Sequence, residues 1–427
     1  MAEGTPWSGR RLHFVGIGGA GMSGLALVAR ALGAAVSGSD RAESSYTTHL
    51  REAGIDPAIG HDAANVPDGA EVVVSTAIPD DNPELAHARA AGMRVVHRGN
   101  LLAEAAALKR SIAIAGAHGK TTTAGMTAHI LRATGRDPAF LIGGDLRDAG
   151  TNAAWGAGDW IVVEADESDR SFLKLSPEIA VITNVELDHH ATYGSEAQLV
   201  AAFDEFAARA ATCIRAEELS ADDVELLPGR SRFRVEGVNV ELAVPGEHNV
   251  ANATAALAAA GAAGVPLAEA APALATFSGA GRRFEPRGRT SSGALVYDDY
   301  AHHPTEIRAT LEAARTLAPR RLVACFQPHL YSRTKHLAKE FGQALALADL
   351  VVVVDVYPAR ERAEDFPGVS GRLVAAATAQ RAKGRPVYWL PRIEDADGVL
   401  RAELREGDLL LTLGAGDIDA LAERLTA

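Results

Sequence analysis

Cysteine is nearly absent: Cys213 and Cys325 are the only two in 427 residues, far apart and in no C-x-x-C pair. That excludes a disulfide framework and a zinc knuckle, and it points to a reducing, cytoplasmic home. Basic charge is in deficit, with 42 Lys and Arg against 55 Asp and Glu and a formal net charge of -13. Such a chain repels a phosphate backbone and has no concentrated Lys/Arg stripe, so nucleic acid is not an expected partner. No run approaches the roughly 18 apolar residues of a membrane span, and the opening MAEGTPWSGR lacks the apolar segment of a secretory signal. A soluble protein with no membrane partner is expected.

With 47% hydrophobic residues the chain has ample material for packed cores. Its length exceeds one ordinary core, and a prior of roughly 150 residues per domain gives about three. Short β-branched runs alternate with Ala-rich segments: LHFVGIG, EVVVSTA and SIAIAGA are each followed by a helical stretch. Further strands are expected at 161–166, 179–185, 294–300, 322–328, 350–357 and 409–414. This is the α/β pattern of parallel sheets built from βαβ units. Joints fall near 103 and 287, giving segments 1–103, 104–287 and 288–427. The Ala-rich stretch 251–275 is read as one packed helix. No repeat of solenoid length is evident.

Two glycine turns carry the chemistry. Gly16-Ile17-Gly18-Gly19-Ala20-Gly21 fits G-x-G-x-x-G after a strand, a phosphate-approaching turn at a helix N-terminus. Asp40 follows at the distance of an NAD ribose acid, so the motif alone leaves NAD open. The second turn, Gly116-Ala117-His118-Gly119-Lys120-Thr121-Thr122-Thr123, follows IAIA and opens a helix. Backbone N–H groups, a lysine and a hydroxyl there suit ATP with Mg2+ or Mn2+. Ile114 stands where a strict Walker A motif has its first glycine, so this is a shortened variant. Two acidic strand ends, Glu164 to Asp169 and Thr183 to His190, are the expected metal side of the crevice. The histidine pairs 189/190 and 302/303 have no third ligand at zinc spacing.

In order, GIGGAGMSGLA, GAHGKTTT, EADESDRSF, TNVELDH, GEHNVANATAA, RRFE, DDYAHHPTE, QPHLYSRT and TLGAGDI resemble the Mur ligases, ATP-dependent amide-forming enzymes of peptidoglycan synthesis. The resemblance runs nearly end to end. It implies a Rossmann-like N-terminal domain, a central P-loop-type ATPase domain and a Rossmann-like C-terminal domain closing over both. Its substrates would be ATP, UDP-N-acetylmuramate and L-alanine, and the enzyme a monomer or weak homodimer. Gly18, Gly19, Ala20, Gly21, Met22, Ser23, Ser39 and Asp40 would hold the UDP-sugar in place of NAD.

By the same resemblance Lys120 would bind the β/γ-phosphates within the loop Gly116, Ala117, His118, Gly119, Thr121 and Thr122. Thr121, Glu164 and His189 would hold metal. His248, Asn249 and Asn252 would meet adenine, and Arg283 the phosphates. Tyr300, His302, His329 and Arg333 would gather round the amino acid, with Arg333 on its carboxylate. His189 or His302 would take the proton from the amine.

Ala117 departs from the Thr common in the family, Leu330 stands where some relatives have a second Arg, and the segment 213–245 is short, a trimmed edge of the central domain. No lysine lies between His189 and Thr212, where ligases adding later amino acids carry a carbamylated one. The alternatives are a ligase adding a recycled tripeptide to the same sugar nucleotide, an NAD-dependent dehydrogenase, and a non-catalytic nucleotide-binding module.

Overall fold

The computed structural model describes residues 5–187 and 192–427. They form two compact units: the described residues up to 222, with 234–240 and 251–278, in the first, and 223–233, 241–250 and 279–427 in the second.

The first unit holds two sheets. The N-terminal one contains β1 (Arg11–Val15), β2 (Ala35–Asp40), β3 (Ala58–Ile59), β4 (Glu71–Val74) and β5 (Val95–His97), in the order β3-β2-β1-β4-β5. All its pairings are parallel. Parallel neighbours need crossovers, here made by α1 (Ala20–Ala31), α2 (Ser45–Glu52) and α3 (Pro83–Ala90), with α4 (Arg98–Ala106) following β5. Val15 lies level with Ser39, so the first glycine turn leaves β1 beside the carboxyl end of β2.

The second sheet runs β11-β10-β6-β9-β7-β8, from β6 (Arg110–Ala115), β7 (Ala139–Leu146), β8 (Thr151–Ala154), β9 (Trp160–Glu164), β10 (Ile179–Ile182) and β11 (Thr212–Arg215). The helices α5 (Lys120–Ala133) and α6 (Glu196–Ala208) belong to this region. Ile114 of β6 pairs with Glu164 of β9, and Ala115 with Ile182 of β10. The second glycine turn therefore emerges between two strands whose next residues are the two acidic stretches, which is where an α/β sheet binds its ligand.

The stretch 213–245 is more than a trimmed edge. Beyond β11 it forms β12 (Asp222–Leu227), β13 (Arg230–Val235) and β14 (Val238–Leu242), a three-stranded sheet of its own. The Ala-rich stretch is not one helix either. α7 (Glu247–Ala262) stops before Gly264, which has φ 91°, and α8 (Leu267–Ala270) leads into a 3-10 turn, Ala271–Thr276. Pro266 and Pro272 lack the N–H that continuation needs, which outweighs the helix propensity of alanine.

The second unit is built on β15-β16-β20-β17-β18-β19: β15 (Glu285–Arg289), β16 (Leu295–Asp299), β17 (Arg321–Phe326), β18 (Leu350–Val353), β19 (Val387–Trp389) and β20 (Asp408–Leu413). β15 pairs antiparallel with β16, and the other pairings are parallel. The joint expected near 287 falls inside β15, a strand of this sheet. Period-two alternation sorts the core. Leu322, Ala324 and Phe326 pack with α9 (Pro304–Arg315), α10 (Tyr331–Leu345) and α11 (Gly371–Ala379). Val323 and Cys325 face the other way, toward α12 (Ile393–Glu403) and α13 (Asp419–Thr426). With both faces covered, each buried Leu or Phe contributes about 1.5–3 kcal/mol.

Candidate active site

The first glycine turn is fixed by its own neighbours. Gly16 and Ile17 donate their N–H groups to the Ser39 carbonyl at 2.8 and 2.9 Å, and Gly18 donates to Asp40 Oδ2 at 2.8 Å. Asp40 is thereby turned back onto the loop. The helix α1 starts at Ala20 with no side-chain cap on its first turn, so Ala20 and Gly21 open an unfilled helix N-terminus of the kind that receives phosphate. Met22, Ser23 and Ser39 are placed differently from the rest. All three are buried. The Ser23 hydroxyl donates to the Ala20 carbonyl, and Asn152 of β8 donates to both Ala20 and Ser23. Packing holds these side chains inward, which leaves only their backbone for a ligand.

The second turn is clamped from β10. Thr183 Oγ1 donates to the His118 carbonyl at 2.6 Å, as does Asn184 Nδ2 at 3.0 Å. Asn184 Oδ1 accepts the His118 N–H at 2.9 Å, and its carbonyl accepts that of Ala117 at 3.2 Å. The turn needs glycine at both ends: Gly116 has φ 137° and Gly119 φ 80°, and a Cβ would strike Thr183 at the first and Asn252 at the second.

Thr121, Thr122 and Thr123 are buried in the first turn of α5. Thr121 Oγ1 lies 2.9 Å from Glu164 Oε2, which also accepts the Gly143 N–H. Lys120 Nζ donates to the Gly116 carbonyl at 2.6 Å and pairs with Glu167 at 3.0 Å. Burial opposes its charge, yet Glu167, Glu164 and Asp166 outweigh burial and hold the ammonium above the ordinary lysine range. Burial likewise works against the Asp166 carboxylate, but Arg98 and Lys120 keep it well below the usual range. Arg98 pairs with both Asp166 and Asp169. His189 lies outside the described residues.

In the second unit, Tyr300, His302, His329 and Arg333 lie together. The His302 ring meets Tyr300 edge-on at 5.2 Å and His329 at 5.6 Å, and His329 stacks on Tyr357. His302 Nδ1 is 2.9 Å from the Tyr300 carbonyl. A carbonyl only accepts, so Nδ1 carries a proton, and the neutral form of the ring is the tautomer with its lone pair on Nε2. Arg333 is 4% exposed, and its Nη1 donates to His329 Nδ1 at 3.3 Å. Leu330, at φ 70°, turns the chain into α10.

Arg283 lies over the Tyr300 ring at 5.2 Å. Burial lifts the neighbouring Asp299 to about 6, against the pull of Arg283. Burial pushes His248 down to about 4, so its ring is neutral at pH 7. Asn249 Nδ2 donates to the Pro245 carbonyl, closing the turn before α7, while Asn252 accepts from Thr123 beside Gly119.

Three family models match in succession: Mur ligase family, catalytic domain, on residues 11–110; Mur ligase middle domain on 114–216; and Mur ligase, glutamate ligase domain, on 282–416. The chain belongs to the Mur ligase family. Among curated Mur ligases, it is 46% identical to the UDP-N-acetylmuramate–L-alanine ligase of Acidithiobacillus ferrooxidans, over 97% of this chain and 96% of that one. It is also 46% identical to the enzyme of that name from Streptomyces avermitilis, over 100% and 98%.

The crystal structure of a UDP-N-acetylmuramate-alanine ligase from Thermotoga maritima is similar with TM-score 0.85 and 31% identity, covering 97% of this chain and 98% of that one. A murein peptide ligase from Psychrobacter arcticus gives 0.72 and 27%, with 98% of each chain covered. The three-domain α/β architecture is thus the Mur ligase one, and the chain is a member of an ATP-dependent ligase family.

The sequence assigned Glu167 and Asn184 only collectively, within the two acidic strand ends, and gave no role to Arg98, Asp299 or Tyr357. Asn184 lay inside the quoted TNVELDH string, where a polar side chain following a buried strand was the available signal. Tyr357 had none: its place beside His329 arises from the pairing of β17 with β18.

Proposed function

We propose that this Mur ligase joins L-alanine to the lactyl carboxylate of UDP-N-acetylmuramate, with ATP converted to ADP and phosphate. The carrying observation is the clamped turn Gly116–Thr121 set between two acidic strand ends. The relatives' names, over nearly the full length, support the choice of substrates. The segments 1–103, 104–287 and 288–427 would serve sugar nucleotide, ATP and amino acid in turn, in the cytoplasm.

A carboxylate is a poor electrophile, so it must first be phosphorylated. Lys120 and the N-terminus of α5, which carries no side-chain cap, counter the charge that builds when the carboxylate approaches the γ-phosphoryl group, and they align the two. The oxygens of Thr121 and Glu164 are hard donors that fit magnesium or manganese, with His189 the third expected ligand. Such an ion supplies countercharge for the phosphates. The acyl phosphate is then attacked by the alanine amine, which must be neutral. A neutral His302, with Nδ1 on the Tyr300 carbonyl, would present Nε2 to take that proton, and Arg333 would orient the alanine carboxylate with its planar fork. The amide forms as phosphate leaves.

Phosphate release from ATP and UDP-N-acetylmuramate with L-alanine, glycine, L-serine or a tripeptide tests this directly. L-alanine should give the highest kcat/KM, and Lys120→Ala should hold less than a tenth of it, a deficit above roughly 1.4 kcal/mol. A preference for the tripeptide would reassign the chain to peptide recycling, and a fully active Lys120→Ala would remove the second turn from the chemistry.

A further inference from the structure

Glu84 takes no part in the chemistry above, yet it is a carboxylate with no exposed surface, set in the first turn of α3. It reaches three separate stretches of the N-terminal sheet. Its Oε2 accepts from the Ser39 hydroxyl of β2 at 2.6 Å and faces His13 Nε2 of β1 at 3.3 Å. Its Oε1 accepts from Asn65 Nδ2 at 2.7 Å and from the Asp62 N–H at 3.2 Å, both in the loop after β3. His61 Nδ1 lies 2.9 Å from the same Ser39 hydroxyl, and the second His13 nitrogen meets Ser37 Oγ at 2.9 Å.

Ser39 stands near the carboxyl end of β2, and His61, Asp62 and Asn65 follow β3, on the edge where such a sheet binds its ligand, while His13 and Ser37 pair within the strands behind them. Ser39, whose hydroxyl Glu84 holds, is the residue whose carbonyl pins Gly16 and Ile17. Gly60, at the start of the loop that Glu84 holds, donates its N–H to the Asp40 carbonyl at 2.7 Å. One carboxylate thus ties the end of β2, which holds the first glycine turn, to the loop beyond β3 on its far side.

Stability alone gives no reason for a charge here, since a buried charged cluster can be replaced by well-packed apolar groups at little or no loss. What the carboxylate adds is direction: four donors from three segments must converge on two oxygens, and this fixes strand end against loop to within a hydrogen bond's tolerance. The start of α3 assists, because a carboxylate in a first helical turn sits at the positive end of the helix dipole.

We propose that Glu84 is the positioning residue of the sugar-nucleotide site, setting the affinity for the uridine-diphosphate part through Ser39 and the loop 60–65. The choice of ligand rests on the ligase reading above.

The test uses the full-length chain as wild type, Glu84→Gln, Glu84→Ala and Ser39→Ala, with steady-state kinetics and with calorimetry of UDP alone. The expected result is a KM for UDP-N-acetylmuramate raised tenfold or more in Glu84→Ala, with kcat and the KM values for ATP and L-alanine within twofold. UDP affinity should weaken by a similar factor. Glu84→Gln, which keeps the shape and one acceptor, should recover part of the loss. If Glu84→Ala does not fold, Ser39→Ala, which removes one hydroxyl, should still raise that KM several-fold. A fall in kcat with all three KM values rising together, or folded variants with unchanged KM and UDP affinity, would overturn the assignment. A wild type that binds UDP but turns over no UDP-N-acetylmuramate would sink the ligase reading instead, and the ratio of UDP affinities would still decide the role of Glu84.

Discussion

Asn184 and His118 are joined twice: the amide oxygen takes the His118 N–H at 2.9 Å, and the amide nitrogen donates to the His118 carbonyl at 3.0 Å. This reciprocal pair holds the middle of the second glycine turn in one shape. Asn184→Ala breaks both bonds at a partly buried site, a loss of about 1–3 kcal/mol. The expected outcome is a KM for ATP raised roughly ten- to a hundredfold with UDP binding unchanged, read by kinetics and calorimetry. Equal KM values in variant and wild type would mean that Thr183 alone secures the turn.

The depressed pKa of His248 has a sign that can be worked out. Burial lowers it from 6.5 to about 4, so between those values the unfolded chain binds a proton that the native ring refuses. Stability linked to this group is present above pH 6.5 and lost as pH falls toward 4, up to about 3 kcal/mol. Chemical denaturation at pH 7 and pH 4.5 should show His248→Gln losing less stability on acidification than wild type. A steeper loss in the variant would contradict the buried, neutral ring.

Arg333→Ala should act on one substrate. Its guanidinium is almost wholly buried beside His329, and losing a charge-assisted pair with a carboxylate amounts to about 1.5–3 kcal/mol. The KM for L-alanine should rise at least tenfold while that for ATP changes less than threefold. Equal changes in both would move Arg333 to the phosphates.

The first glycine turn answers the choice between NAD and a UDP-sugar by experiment. Asp40 accepts the Gly18 N–H, so the carboxylate an NAD site needs for ribose is engaged inside the loop. UDP-N-acetylmuramate at about a hundredfold excess over Kd should raise the melting temperature, a linkage of roughly 2.7 kcal/mol for a native-only ligand, and NADH should leave it unchanged. Stabilisation by NADH alone would restore the dehydrogenase reading.

The parts of the site that could be read in the sequence are those specified locally. Gly116 to Thr123 is legible because backbone freedom, a lysine and a hydroxyl stand consecutively, and the parallel sheets because their strands are apolar on both faces. Glu84 and Asn184 were not, since what each does depends on a partner tens of residues away: His13 for the one, His118 for the other. The reading of 251–275 as a single helix weighed alanine propensity above Gly264 and Pro266, whose local effect is larger. Met22, Ser23 and Ser39 show the limit of carrying a motif over residue by residue. The motif states which positions recur near the ligand, and only packing tells whether a side chain or a backbone group faces it.

The Thr183 and Asn184 clamp also bears on the speed of nucleotide capture. If the proposed function holds, a loop already fixed in one shape has few torsions left to freeze when triphosphate arrives, so encounter would be governed by diffusion and by release of Lys120 from the Gly116 carbonyl and Glu167. Viscosity and ionic strength should then alter the association rate strongly, and loosening the clamp should turn a fast, salt-sensitive step into a slower one limited by the loop's own rearrangement.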